Sequence, residues 1–207
     1  MRNRMIRLIS ITKKQFRELA FKDFLPLFLK SLFRSDKILI YALDTSQVEI
    51  DQKEDAGLIE IRKADISELE DLESRAEPAP WEFQCHHYDG VKDFFIASKA
   101  EEIQHISWIY YTNDPNRFIK LGHNDAEIKY CITLPRFRGQ GIYPRVLRTI
   151  AGYLKEKKFR RVFISTHENN RFSIRGIEKA GFKHVGQIRL RKVLGIQISK
   201  RYVPQEV

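Results

Sequence analysis

Strand-like and helix-like segments alternate along this chain, which predicts an α/β or α+β domain around one mixed sheet. The strand signal lies in runs rich in β-branched and aromatic residues, among them KILIYAL (37–43), DFFIASKA (93–100) and AEIKYCITL (126–134). The helix signal is clearest where Ile142, Val146, Leu147, Ile150, Ala151 and Leu154 recur at spacings of three and four. No internal repeat or low-complexity tract breaks the pattern.

Residues 1–35 predict one or two short helices broken near Pro26, with Phe16, Leu19, Ala20, Phe24, Leu27 and Phe28 as apolar positions. KILIYAL follows as a strand, and the polar DTSQVEIDQKEDAG (44–57) marks the boundary between an N-terminal extension, 1–50, and a main domain, 51–207. LIEIRKA (58–64) is strand-like. DISELEDLESRA (65–76) opens a helix with Asp65 and Glu68 in a capping-box arrangement and Ile66, Leu69 and Leu72 as its stripe. EPAPWEFQCHHYDG (77–90), rich in Pro and aromatics, reads as a loop. DFFIASKA and EIQHISWIYYT (102–112) predict a hairpin, and AEIKYCITL a further strand. The helix from Ile142 carries Pro144 in its first turn, where the missing N–H costs little. RRVFIST (160–166) is a strand and NRFSIRGIEKAG (170–181) a helix closed by Gly181. Two strands, FKHVGQIRLRKV (182–193) and GIQISKRYV (195–203), complete the pattern.

Composition narrows the function classes. With 207 residues, 43% hydrophobic and 12% aromatic, the chain can bury a sizeable core. Two cysteines, Cys85 and Cys131, are too few for a disulfide scaffold, so a reduced, cytoplasmic protein is expected. FLPLFLKSLF (24–33) is too short for a bilayer span and carries Lys30. The net charge of +10 is concentrated early: residues 1–37 hold ten Lys or Arg against three Asp or Glu. Such a surplus attracts phosphorylated cofactors, acidic partners or anionic lipid, so residues 1–35 are a candidate surface for a peripheral membrane or an acidic protein. Nucleic-acid binding would rest on charge alone, because no recognition motif accompanies it. His86 and His87 beside Cys85 lack a second ligand pair at metal-binding spacing, so no metal is expected.

The stretch RFRGQG, Arg136 to Gly141, lies between a strand and a helix. The first N–H groups of a helix have no internal partner, and the helix dipole makes that end positive, so such a junction suits phosphate. Gly139 and Gly141 allow close backbone approach, while Arg136 and Arg138 add charge. The spacing is neither that of a Walker loop nor of a dinucleotide fingerprint, whose third glycine is here Pro144.

Arg136-Phe137-Arg138-Gly139-Gln140-Gly141 resembles the Q/R-x-x-G-x-G/A motif of the GNAT superfamily of acetyl-CoA-dependent N-acetyltransferases. NRFSIRGIEKAGF, residues 170–182, is similar to that family's second, Asn-led segment, and it lies in register with the first. The resemblance implies a mixed, mostly antiparallel central sheet flanked by helices, here with a basic helical N-terminal extension. It implies acetyl-CoA as co-substrate, with pyrophosphate on the backbone of Arg138, Gly139, Gln140, Gly141, Ile142 and Tyr143. It also implies pantetheine along Ile132, Thr133 and Leu134, with Asn170 and Ser173 nearby, and direct acetyl transfer to a primary amine. The acceptor is open between a small molecule and a peptide. A homodimer, common in the family, is also open.

Amine acetylation requires a base for the ammonium proton, an oxyanion donor and an acid for the leaving thiol. Glu127 resembles the glutamate base of the histone-acetylating branch. An oxyanion donor is implied at a backbone N–H near Thr133 or Leu134. The family's acid, a tyrosine, is replaced here by Ile177, which cannot donate a proton. Tyr143, Ser173 and Tyr130 are the substitutes, or the thiolate leaves without an acid. The departure from the pattern also leaves open a fold that binds coenzyme A and has lost catalysis.

Overall fold

The computed structural model describes residues 33–48, 59–73, 80–100, 102–115, 117, 119–193 and 196–205. The helices expected over 1–35, and the membrane or partner surface placed there, lie outside the described residues except for the start of the first strand. The elements in chain order are β1 (Phe33–Asp44), β2 (Glu60–Ala64), α1 (Ile66–Glu73), α2 (Cys85–Asp89), β3 (Phe94–Lys99), β4 (Glu102–Tyr110) and β5 (Asp125–Thr133). They continue with α3 (Ile142–Glu156), β6 (Arg161–His167), α4 (Arg171–Lys179), β7 (Lys183–Val193) and β8 (Ile196–Pro204). Among the described residues no helix is long and apolar enough to cross a membrane.

The chain divides into two compact units, Leu39–Gln187 with Pro204–Val207, and Met1–Ile38 with Ile188–Val203. In the larger unit the strand order is β2-β3-β4-β5-β6-β1-β7. The β2–β3, β3–β4 and β4–β5 ladders are antiparallel, whereas β5 and β6 are parallel. In the smaller unit the end of β7 and β8 are neighbours.

Each face of the sheet in the larger unit buries its own apolar cluster. On one face α3 supplies Ile142, Val146, Leu147, Ile150, Ala151 and Leu154 against Ala97, Ala126, Ile128 and Ile164. That is the stripe read from the sequence, and its burial is the main stabilisation of the helix. Tyr41 and Leu43 of β1 belong to the same cluster, so the core draws on residues ahead of the expected boundary at 51. The opposite face buries Leu69, Phe83, Cys85, Phe94, Ile106, Trp108 and Tyr110.

Local signals hold where side chains act on their own backbone. Glu68 accepts from the Asp65 N–H at 3.0 Å, half of the expected capping box. Gly181 takes φ +94° just after α4, as a helix-ending glycine should. The described part of the expected loop, 80–90, departs from expectation. Instead of a loop, Trp81–Gln84 forms a 3₁₀ turn leading into α2, which ends at Gly90 with φ 68°. Its order is tertiary: Phe83 and Cys85 are buried, and Trp108 Nε1 donates to the Glu82 carbonyl at 2.7 Å.

Candidate active site

The site begins with the way β5 and β6 part. Their ladder runs from Asp125↔Arg161 to Ile128↔Ile164, while β5 continues to Thr133 and β6 to His167. At the closed end, Arg161 donates from Nε and Nη2 to the two Asp125 oxygens, each at 2.9 Å. This bidentate pair pins the strands together there. At the other end, Tyr130 to Thr133 carry strand-edge N–H and C=O groups with no β6 partner among the described residues. Such an edge offers hydrogen-bond groups to a ligand of extended shape.

The same stretch of β5 is bulged. Ile106 pairs with Ile132 but Trp108 pairs with Lys129, so Ser107 faces both Tyr130 and Cys131. Tyr130 takes φ 49°, a left-handed conformation that a bulky residue rarely adopts. The extra residue resets the alternation: Ala126, Ile128 and Cys131 face α3, whereas Tyr130, Ile132 and Leu134 pack with the opposite cluster.

Beyond Thr133 the chain passes through a 3₁₀ turn, Pro135–Phe137, and the glycine turn into α3. Gly139 and Gly141 have φ 80° and 73°, and Gly141 caps the helix without a side chain. A Cβ placed on either would meet nothing within 4 Å, so this cradle is open. Arg138 bends back, its Nε donating to the Thr133 carbonyl at 3.1 Å. Arg136 ion-pairs with Glu102 and lies over the Phe137 ring, so its charge is shared with the β4 side of the loop. Gln140 and Ile142 complete the turn, with Ile142 buried. The residues present fit a diphosphate on a helix N-terminus.

Glu127 and Lys129 share the sheet face opposite α3, across from Tyr110 and Trp108. Glu127 is fully buried rather than a surface carboxylate, and Ser165 of β6 donates to its Oε1 at 3.5 Å. The Lys129 ammonium sits 4.6 Å from the ring centres of both Tyr110 and Tyr130, and Asp89 accepts from the Tyr110 hydroxyl at 2.7 Å. Trp81, half exposed, stands edge-on to Tyr130 at 5.0 Å. Burial pushes the Tyr130 phenol up to about 12.

On the α3 face a second polar group gathers. His105 is wholly buried, its Nδ1 within 2.7 Å of Thr133 Oγ1 and its Nε2 within 2.7 Å of Ser107 Oγ. Burial lowers its imidazolium pKa to about 3, so the ring is neutral. The Cys131 thiol, pushed up to about 12 by burial, stays protonated and donates to the Lys129 carbonyl. The Tyr143 hydroxyl lies 3.3 Å from Ser173 Oγ. Ser173 in turn gives its N–H to Asn170 Oδ1 at 3.1 Å, so Asn170 caps α4.

The structure therefore brings Tyr143, Ser173 and Asn170 together on one face and puts Glu127 and Tyr130 on the other. His105, Ser107, Cys131 and Gly176 join the site without having been read as parts of it. Of these only Gly176, against which the Tyr143 ring packs, carries a signal in the sequence, an isolated glycine within a helical pattern. Among the described residues no cluster of three or more His, Cys, Asp or Glu could hold a metal ion.

The comparisons with known proteins agree with this architecture. An acetyltransferase from the GNAT family of Colwellia psychrerythraea is 17% identical, with 78% of this chain and 57% of that one aligned and a TM-score of 0.54. A GCN5-related N-acetyltransferase from Sphaerobacter thermophilus is 14% identical, over 88% of this chain and 57% of that one, with a TM-score of 0.55. A conserved protein of unknown function from Staphylococcus epidermidis ATCC 12228 is 14% identical, over 93% and 81%, with a TM-score of 0.54. At these identities the likeness is one of fold, and this chain spans less than two thirds of the Colwellia and Sphaerobacter proteins. Among curated proteins no match is found. The sequence pattern of the acetyltransferase (GNAT) family, by contrast, matches residues 58–182, well over half of the chain, and the chain belongs to that family.

Proposed function

We propose that the protein transfers an acetyl group from acetyl-CoA directly to a primary amine. The observation that carries this reading is the continuity of the open β5 edge with the glycine turn at the α3 N-terminus. One surface thus offers backbone groups to an extended arm and then N–H groups to a diphosphate. Arg138, Gly139, Gln140, Gly141, Ile142 and Tyr143 would hold the diphosphate, and Ile132, Thr133, Asn170 and Ser173 the arm. The expected contact at Leu134 is taken up within the protein, its N–H by the Gln104 carbonyl and its carbonyl by the Phe137 N–H, each at 2.9 Å. Bound acetyl-CoA supplies an activated acyl carbon.

Glu127 takes the proton from the acceptor's ammonium. Its carboxylate lies on the face it shares with Tyr110 and Tyr130, whose rings already carry the Lys129 ammonium. Direct transfer is favoured over a covalent enzyme intermediate because the thiol at the bulge, Cys131, holds its proton. The acceptor class remains between amino sugar, polyamine, peptide amine and aminated antibiotic, since fold does not fix substrate.

The test is release of free thiol from acetyl-CoA against a panel of such amines, with Glu127→Gln beside the wild type. Turnover with at least one amine, lowered about a hundredfold or more in Glu127→Gln, is expected. Saturable binding of acetyl-CoA with no turnover on any amine would favour a coenzyme A-binding module instead, the reading that Ile177 in the tyrosine's place suggests.

A further inference from the structure

Ile177 stands where the family resemblance calls for a proton-donating tyrosine, and it is fully buried in the apolar cluster beneath α3. No hydroxyl serves from that position. One residue earlier, Gly176 has no side chain, and the Tyr143 ring fills the space. A Cβ on Gly176 would lie 2.5 Å from Tyr143 Cδ1 and 2.9 Å from Cε1. The His105 ring lies 5.7 Å from the Tyr143 ring centre, tilted by 34°. The ring is thus bounded by α4 and by β4, while its hydroxyl contacts Ser173 Oγ and the Cys131 thiol. Cys131 belongs to the stretch of β5 past the last β6 pair, so the phenol reaches the level at which the strands open.

We propose that Tyr143 is the proton donor to the departing thiol, a tyrosine supplied by α3 in place of the one missing from α4. Gly176 is the positioning residue that makes room for it. The assignment rests on the transferase reading above. In the step, the nitrogen lone pair of the neutral amine forms the C–N bond while the C–S bond breaks. Sulfur keeps that electron pair and takes the proton from Tyr143 Oη. Ser173, half-buried at the start of α4, returns a proton from water to the phenol oxygen. Glu127 loses to water the proton it took from the ammonium, and the nitrogen, cationic once the C–N bond has formed, gives its second proton to water to leave the neutral amide. Burial holds the Tyr143 phenol protonated well beyond neutral pH, as a donor requires. Donor and base then stand on opposite faces of the sheet, with the gap between β5 and β6 joining them.

The experiment compares coenzyme A with desulfo-coenzyme A by calorimetry, so it does not depend on knowing the acceptor. The wild type should bind coenzyme A about fivefold more tightly, the worth of one hydrogen bond to sulfur. Tyr143→Phe should bind both ligands alike, with desulfo-coenzyme A within about twofold of its wild-type affinity, which also shows that the variant is folded. Gly176→Ala should lose the same preference, and Gly176→Ala/Tyr143→Phe should lose no more, since the two act through one ring. Thiol release should fall about a hundredfold in Tyr143→Phe. A wild type indifferent to the sulfur, a Tyr143→Phe that keeps the preference, or its loss in Tyr130→Phe instead would overturn the assignment. Binding of neither ligand by the wild type would be a different failure, that of the transferase reading itself, and would remove this assignment with it.

Discussion

At the scale of single residues, burial decides which groups hold protons. His105 is the clearest case. Its folded pKa of about 3 lies below the ordinary value of 6.5, so the unfolded chain binds the extra proton in acid. The stability contributed by the neutral ring is fully present above 6.5 and is lost as pH falls from 6.5 toward 3. The loss approaches about 1.4 kcal/mol per pH unit at its steepest. Chemical denaturation between pH 7 and pH 4 should show a weaker pH dependence in His105→Gln than in the wild type. An identical slope would mean that the ring titrates normally. Glu127→Gln, in contrast, should leave acetyl-CoA affinity within about twofold while turnover falls about a hundred- to ten-thousand-fold. The candidate base was legible because its place ahead of the glycine motif is a matter of sequence distance. The His105–Thr133 contact was not, because its partners lie 28 residues apart and meet only through the β4–β5 register.

At the scale of elements, β1 carries the prediction that differs most from the sequence reading. Thr45 Oγ1 donates to the Phe159 carbonyl at 2.6 Å, and the Lys155 ammonium donates to the Val48 carbonyl at 2.7 Å. These bonds tie the end of the strand to the α3–β6 connection. Leu43→Ala should therefore cost about 2–5 kcal/mol in urea denaturation, as for a core leucine. A loss under about 0.5 kcal/mol, the size of a surface change, would place β1 outside the core. α3 and α4 were legible from apolar spacing and closing glycine because those signals are local. The 3₁₀ turn and α2 were not, since Pro78, Pro80 and exposed aromatics argue for a loop until Phe83 and Cys85 find the opposite sheet face. The β5 bulge was hidden for the same reason. Nothing in EIKYCIT marks which residue turns left-handed; pairing with β4 makes that choice.

At the scale of the molecule, the site described lies within the unit Leu39–Gln187, where a parallel pair of strands is clamped at one end and open at the other. The central claim is that this opening and the glycine turn beyond it hold acetyl-CoA. Calorimetric titration of the intact protein with acetyl-CoA tests it most directly, with Gly139→Glu/Gly141→Glu as the blocked form. Side chains there project into open space, so the new carboxylates should repel the diphosphate with a cost to the fold limited to backbone strain of about 1–2 kcal/mol at each site. Saturable binding by the wild type, abolished in the double variant, is the predicted result. No binding by the wild type, or equal binding by both, would contradict the account.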